Sequence, residues 1–295
     1  MRKFISAILI AAIFCSALSF YGCSSELVGV TSNSPSETAA QNNGNAAAQP
    51  EQLSGKLTLN GSTSMAKLCQ ALGEAFMAKY PGVTVEKSGT GSGDAAKAVS
   101  AGTALIGDLS RDMKPEESPD SYEIVPVAID GIVIAVNPEN KITNLTSDQI
   151  NRIFTGQITN WKDLGENDQK ITVLGREAAS GTRDGFETMF KCSKKAQYAA
   201  ELSSTGEVLT KVGSDKGAIG YISLDAVNST IKPVSVDGVK ASEATIKNKT
   251  YKAQRPFIEI YKKGTDSDLV KAWFRFIESD EGQAIVKKAG LVTVK

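Results

Sequence analysis

From Lys56 onward the chain alternates short β-branched or apolar runs with stretches whose apolar residues recur at helical spacing. Lys56-Leu57-Thr58-Leu59-Asn60 has a period of two and predicts a strand. Met65, Leu68, Cys69, Leu72 and Phe76 recur every three or four residues and predict one face of a helix, stopped at Tyr80-Pro81-Gly82. Val83-Thr84-Val85-Glu86 predicts a second strand, followed by a helix carrying Ala95, Ala96, Ala98 and Val99. Glu123 to Ile129 and, after Asp130-Gly131, the continuous apolar run Ile132 to Val136 predict further strands, the latter buried. Thr146 and Gln149 form a capping box for a helix with Ile150, Ile153 and Phe154. Ile171-Thr172-Val173-Leu174 predicts a strand leading to a helix that begins near Thr182 and carries Phe186, Met189 and Phe190. Later strands are predicted at Gly217–Ser223 and Arg255–Tyr261, with a turn at Asp237-Gly238 between them. Leu269, Val270, Trp273, Phe274 and Ile277 predict a helix, with a shorter one through Ile285 and Val286. Strands alternating with helices predict an α/β fold with mostly parallel sheets, whose ligands sit beyond the strand ends.

Three of the predicted strand-to-helix turns share one composition: Gly61-Ser62-Thr63-Ser64, Ser88-Gly89-Thr90-Gly91-Ser92-Gly93, and Gly175 to Arg183. A helix start leaves backbone N–H groups unpaired, and its dipole favours an anion there. Arg176 adds a planar fork of donors, and Ser180 and Thr182 add hydroxyls, a set suited to a tetrahedral oxyanion. One such turn is ordinary capping. Three of them, one with an arginine, predict an anion site. No phosphate-binding P-loop spacing is present, and Asp94 stands where a dinucleotide fingerprint needs its third glycine, so a nucleotide is not expected.

The 295 residues, 41% of them hydrophobic, suffice for one large or two medium domains. The 33 basic and 33 acidic residues cancel, which argues against nucleic acid as a partner, so an anion would be held by local donors. The chain has no histidine, which removes the usual general base, the commonest neutral metal ligand and the Ser-His-Asp arrangement. Neither metal nor cofactor is expected. Ser64-Met65-Ala66-Lys67 matches the S-x-x-K of serine acyl-enzymes, but their S-D-N and K-T-G tracts are missing, and Lys263-Gly264-Thr265 has another order. The chain therefore reads as a binding protein and not an enzyme. At the N-terminus, residues 1–22 read as an export signal, with Arg2 and Lys3 before an apolar stretch from Phe4 to Phe20. Gly22-Cys23 resembles a bacterial lipoprotein cleavage site, which would make Cys23 the lipidated residue; the alternative is an ordinary secretory signal cut nearby. Residues 23–54 comprise this anchor and a flexible linker, since Ser24 to Gln52 is rich in Ser, Asn, Ala, Gln and Thr and poor in large apolar side chains. Cys69 and Cys192 remain for the folded part, and their separation leaves pairing open.

Several further stretches accompany these turns in order: Leu145-Thr146-Ser147-Asp148-Gln149-Ile150, Ile153-Phe154-Thr155-Gly156, Asn160-Trp161-Lys162-Asp163-Leu164-Gly165, Gly217-Ala218-Ile219-Gly220-Tyr221, Arg255-Pro256-Phe257 and Ser279-Asp280-Glu281-Gly282-Gln283. Together with Arg176-(x)3-Ser180-Gly181-Thr182-Arg183, they give the chain from Gly55 to Val294 a sequence that resembles the phosphate-binding lipoproteins of bacterial phosphate ABC transporters. The resemblance implies a two-lobed periplasmic-binding-protein fold of type II, each lobe a mixed sheet flanked by helices, with the ligand in the cleft between them. It implies one lobe from residues 55–130 and 258–295 and the other from 131–257. It also implies that Thr63, Ser64 and Ser92 bind phosphate oxygens from the first lobe, and Arg176, Ser180, Gly181 and Thr182 from the second. The implied protein is an extracytoplasmic, lipid-anchored monomer at the cell membrane that hands phosphate to a permease and its ATPase.

One departure bears on selectivity. The family often has a carboxylate before the Ile/Phe-Gly of its A-D-I-G-x-x-S-R stretch, where it would accept the ligand's remaining proton and repel aprotic sulfate. This chain reads Ala104-Leu105-Ile106-Gly107-Asp108-Leu109-Ser110-Arg111, with Leu105 in that place. Either Asp108 takes the role, or selectivity against sulfate relaxes. A receptor for another oxyanion, sulfate or molybdate, and a lipoprotein that reports phosphate to a sensor are the alternatives.

Overall fold

The computed structural model describes residues 53–294. The export signal, Cys23 and nearly all of the linker expected from the sequence lie outside the described residues. β1 (Ser54–Gly61) buries Leu57 and Leu59 and leads through a short turn into α1 (Ala66–Lys79), whose buried face is Leu68, Cys69, Leu72 and Phe76. β2 (Gly82–Gly89), α2 (Ser92–Ser100) and β3 (Ile106–Leu109) complete a first βαβαβ unit, in which β1 pairs in parallel with both β2 and β3. β4 (Tyr122–Val136) then leaves this unit. Beyond it come β5 (Asn144–Leu145), α3 (Ser147–Phe154), β6 (Thr172–Arg176), α4 (Gly181–Met189), β7 (Ala200–Leu202), α5 (Thr205–Ser214), β8 (Ala218–Ser223), β9 (Lys232–Val236) and α6 (Glu243–Lys247). β10 (Gln254–Lys262) returns, followed by α7 (Asp268–Glu278), α8 (Asp280–Lys288) and β11 (Val292–Thr293). No helix among the described residues is long and apolar enough to cross a membrane.

The strand order is β2-β1-β3-β10-β4-β8-β6-β7, with β9 and β11 also on β4 and β5 on β9. The sheet is mixed, not mostly parallel as the alternation of elements predicts, because β4 and β10 run out and back and are antiparallel to their neighbours. The two runs expected on either side of Asp130-Gly131 form one unbroken strand of 15 residues. Its first part pairs with β10, and Ile132–Val136 pairs with β8. Asp130 and Gly131 make no turn, for they face Arg255 and Gln254 in the ladder. Gly131 lies close under Ile246, whose Cδ1 would be 2.7 Å from a Cβ at this position.

Each end of β4 has its own core. In the first lobe, Leu57, Leu72, Phe76, Phe257, Trp273 and Phe276 pack between the sheet, α1 and α7, with Phe76 edge-on to Trp273 at 5.3 Å. A smaller cluster, with Ala95, Val99 and Ile260, covers the opposite face under α2. In the second lobe Ile132 to Val136, Phe154, Phe186 and Tyr221 form the core, and Phe186 stacks on Tyr221 with centroids 4.1 Å apart. Cys69 belongs to the first core and Cys192 to the second, and both are free thiols, so they do not pair.

At the crossing, Arg255 and Asp130 form a buried ion pair. Arg255 Nε and Nη2 donate to Asp130 Oδ2 at 3.0 and 2.9 Å, and Ser223 Oγ and the Leu224 N–H donate to Oδ1 at 2.7 and 3.1 Å. Removing one member strands the other charge in the interior. Asp130→Ala is therefore expected to lower the unfolding free energy by about 3–5 kcal/mol, read from urea denaturation.

Candidate functional site

The three hydroxyl-rich turns converge where the lobes meet, and their side chains touch across the junction. Ser62 caps the turn before α1 by accepting the Ser64 N–H at 3.2 Å, and Ser64 Oγ lies 2.5 Å from Thr182 Oγ1 and 3.3 Å from Thr205 Oγ1. Thr63 Oγ1 is 3.3 Å from Thr205 Oγ1 and accepts the Thr205 N–H. Ser92, the buried first residue of α2, accepts the Ser110 N–H at 3.1 Å and has its hydroxyl 3.3 Å from that of Ser110. Gly181 sits against this pair so closely that a Cβ would lie 2.4 Å from Ser92 Oγ and 2.7 Å from Ser110 Oγ. Ser180 caps α4 by accepting the Arg183 N–H at 3.3 Å. The N–H groups of Gly181 and Thr182 then precede the helix's own hydrogen-bond ladder.

Arg176 ends β6 with its guanidinium 2% exposed. Nε and Nη2 grip the Glu177 carboxylate at 3.0 and 2.8 Å and also donate to the carbonyls of Leu202 and Ser203, while Nη1 donates to Thr205 Oγ1 at 3.3 Å. The Arg176 backbone is held from both sides, its N–H by Tyr221 Oη at 3.1 Å and its carbonyl by Arg183 Nη1 at 2.8 Å. Burial pushes the Tyr221 phenol up, so it remains a neutral hydroxyl there. A rim contact links the lobes as well: Arg111 Nε and Lys114 Nζ both reach Asp184 on α4, at 2.9 and 2.8 Å.

Thr63, Ser64, Arg176 and Thr182 thus form one connected set, Ser92 and Gly181 an adjoining one, and buried Ser180 shapes the helix start between them. Sequence reasoning missed two members, Thr205 and Ser110. Thr205 opens α5 after Ser203-Ser204, a fourth turn of the same kind, but β7 has three residues and gives no apolar run to announce it. Ser110 follows β3 and stands at the serine of the A-D-I-G-x-x-S-R stretch, but attention there fell on Leu105 and Asp108.

The expectations for Leu105 and Asp108 are corrected. Leu105 is 37% exposed and bonds through its N–H to Thr58, three residues short of the end of β1, so a carboxylate at that place would sit away from the hydroxyl turns. Asp108 does not turn toward the cleft either. The alternation of β3 places Gly107 against Ala95 of α2, and Asp108 on the other face near Cys69 of α1. There Asp108 pairs with Lys87 Nζ at 2.5 Å, with ligand atoms of Cys69 and Glu259 within 4.8 Å. Burial, with Asp108 beside it, pushes the Glu259 carboxyl well above the usual range, and Trp273 Nε1 donates to it at 2.6 Å.

The cleft offers hydroxyls, helix N-termini and one guanidinium, an arrangement that can hold an oxyanion. It does not assemble the S-x-x-K pair, because Lys67 Nζ donates to the Asp225 carbonyl at 2.7 Å while Ser64 Oγ meets threonine hydroxyls.

Comparison with known proteins bears on the family and the fold. A family model described as a PBP superfamily domain matches residues 45–281. The phosphate-binding protein PstS of Bacillus subtilis is 31% identical over 258 residues, 86% of each chain. Among solved structures, a Clostridium perfringens protein assigned as a phosphate ABC transporter substrate-binding protein, with bound phosphate, is 39% identical with a TM-score of 0.79, over 82% of this chain and 100% of that one. An ABC-type phosphate transport receptor of Vibrio cholerae is 32% identical with a TM-score of 0.67, over 80% and 99% of the two chains.

Because Gly181 admits no side chain against Ser92 and Ser110, Gly181→Ala is expected to hold the lobes apart. The strain of about 1–3 kcal/mol corresponds to a loss of anion affinity on the order of ten- to a hundredfold, measurable by calorimetric titration.

Proposed function

The chain belongs to the PBP superfamily and to its phosphate-binding PstS family, and from that premise we propose that it captures inorganic phosphate between its lobes and delivers it to an ABC transporter for import. The observation that carries this reading is the meeting of Arg176 Nη1 with the linked hydroxyls of Thr63, Ser64, Thr182 and Thr205, drawn from both lobes and, apart from half-buried Thr63, buried. A tetrahedral anion there exchanges its hydration shell for fixed donors that need no reorganisation. Thr63, Ser64 and Ser92 serve it from the first lobe. Arg176, Ser180, Gly181 and Thr182 serve it from the second, and Ser110 and Thr205 join them. The protein acts as a binding partner and not as an enzyme.

Cys23 carries the lipid that keeps the receptor at the outer face of the cell membrane, beside the permease and its ATPase, with the Ser- and Asn-rich linker giving the lobes reach. Cys23→Ser is expected to shift the protein from the membrane fraction to the soluble fraction of cells expressing it. Retention at the membrane would show that the anchor lies elsewhere.

Calorimetric titration of protein freed of carried-over anion, with phosphate and then sulfate, tests the ligand. Tight phosphate binding without sulfate heat is expected; comparable heats would make this a general oxyanion receptor. Arg176→Ala should cost about 3–5 kcal/mol of binding, as for a broken buried charge pair. Ser180→Ala should cost about 1 kcal/mol, as for a lost cap. Equal losses would show that Arg176 is not the anchor.

A further inference from the structure

Asp225 lies in the single turn after β8, Leu224 to Ala226, where the crossing strands and both lobes come together, and it is 2% exposed. Ser223 Oγ sits 2.7 Å from Asp130 Oδ1 and 2.6 Å from Asp225 Oδ1. A hydroxyl has one proton and can donate to one of these oxygens. The second short contact therefore needs a proton from a carboxyl. Asp130 is poorly placed to provide it, because its two oxygens already accept from Arg255 Nε, Arg255 Nη2 and the Leu224 N–H, all of which favour the ionised form. Asp225 has no such donors: its Oδ1 meets only Ser223, and its Oδ2 has no hydrogen-bond partner.

We infer that Asp225 is the protonated member of this group and takes up its proton as the lobes close, so that phosphate capture draws a proton into the protein. This rests on phosphate being the ligand. The coupling follows from what covers Asp225. From the first lobe, α1 brings Lys67, whose Nζ caps the Asp225 carbonyl at 2.7 Å, and Cys69 lies in the next part of that helix. Lys67 thus binds the backbone and not the carboxylate. From β10 comes Arg255, whose charge is committed to Asp130 of β4. Lys67 and Arg255 offset an ionised Asp225 only in part, since neither pairs with its carboxylate, and burial beside Asp130 outweighs them once α1 closes over it, whereas hinge opening returns water to the turn. Burial first, and then Asp130 alongside, push the Asp225 carboxyl up to about 7. The sign follows directly. With the closed form holding the proton more tightly than the open one, uptake is greatest between the ordinary carboxylate range and that pH and disappears as pH rises through it.

The test is calorimetric titration of the full-length protein with inorganic phosphate near pH 6.5, in two buffers of different ionisation enthalpy, for wild type and Asp225→Asn. Wild type should take up on the order of half a proton or more beyond what the variant does, and its affinity relative to the variant should fall about tenfold from pH 6 to pH 8. Equal uptake and parallel pH profiles would overturn the inference while leaving phosphate binding intact. Absence of phosphate heat in wild type would overturn both. If Asp225→Asn does not fold, carbon-13 NMR of aspartate-labelled wild type decides. One carboxyl should titrate near neutrality with phosphate bound and in the ordinary carboxylate range without it. No aspartate with a phosphate-dependent titration would refute the coupling.

Discussion

The Asp130–Arg255 ion pair fixes the place from which the rest of the molecule is measured. Neither charge is tolerable alone in the interior, and further hydrogen bonds on both partners support the pair. Arg255 Nη1 donates to the Ser110 carbonyl, which sets the end of the first lobe's β3. Asp130 gathers the Ser223 hydroxyl and the Leu224 N–H, which sets the end of the second lobe's β8. One salt bridge thereby holds the two crossing strands in register and refers a turn of each lobe to the same point.

Above the crossing, the cleft manages charge with economy. Glu177 holds Arg176 in a fixed plane, leaving Nη1 directed at a hydroxyl and not at a carboxylate. The serine and threonine hydroxyls can each donate or accept by rotating. A doubly charged anion and a singly protonated one therefore meet the same side chains with different hydrogen positions. Selectivity in such a cleft does not reside in a carboxylate at Leu105 or Asp108. It has to come from how completely these rotors and the helix N–H groups can be satisfied by a given oxyanion.

Much of this was legible in the sequence where periodicity and turn chemistry agree. Leu57 and Leu59, the α1 face, the Thr146–Gln149 capping box and the Ser180 cap all act locally, so their patterns survive folding. The three turns with Ser64, Ser92 and Thr182 were legible for the same reason. What the sequence concealed depends on contacts between distant residues. Asp130-Gly131 resembles a turn until Arg255 arrives as a partner from more than a hundred residues away. Asp108 has the composition of a ligand residue, and its role is decided by strand parity and by Lys87, which reaches it from β2 two strands away. Thr205 follows a strand too short to have a period, and Ser110 matters through distant partners, Ser92, Gly181 and Arg255.

The out-and-back path of β4 and β10 also dictates a sequence of events during synthesis. The second lobe's core comes almost wholly from one continuous stretch, Ile132 to Ala253, whereas the first lobe's core needs Leu57 to Ala128 together with Phe257 to Leu291. A chain emerging from its N-terminus therefore makes the strands of the first lobe early but cannot complete that lobe until its last residues appear. The later-made lobe thus has nearly all of its core residues in hand while the earlier strands still lack Phe257 to Leu291.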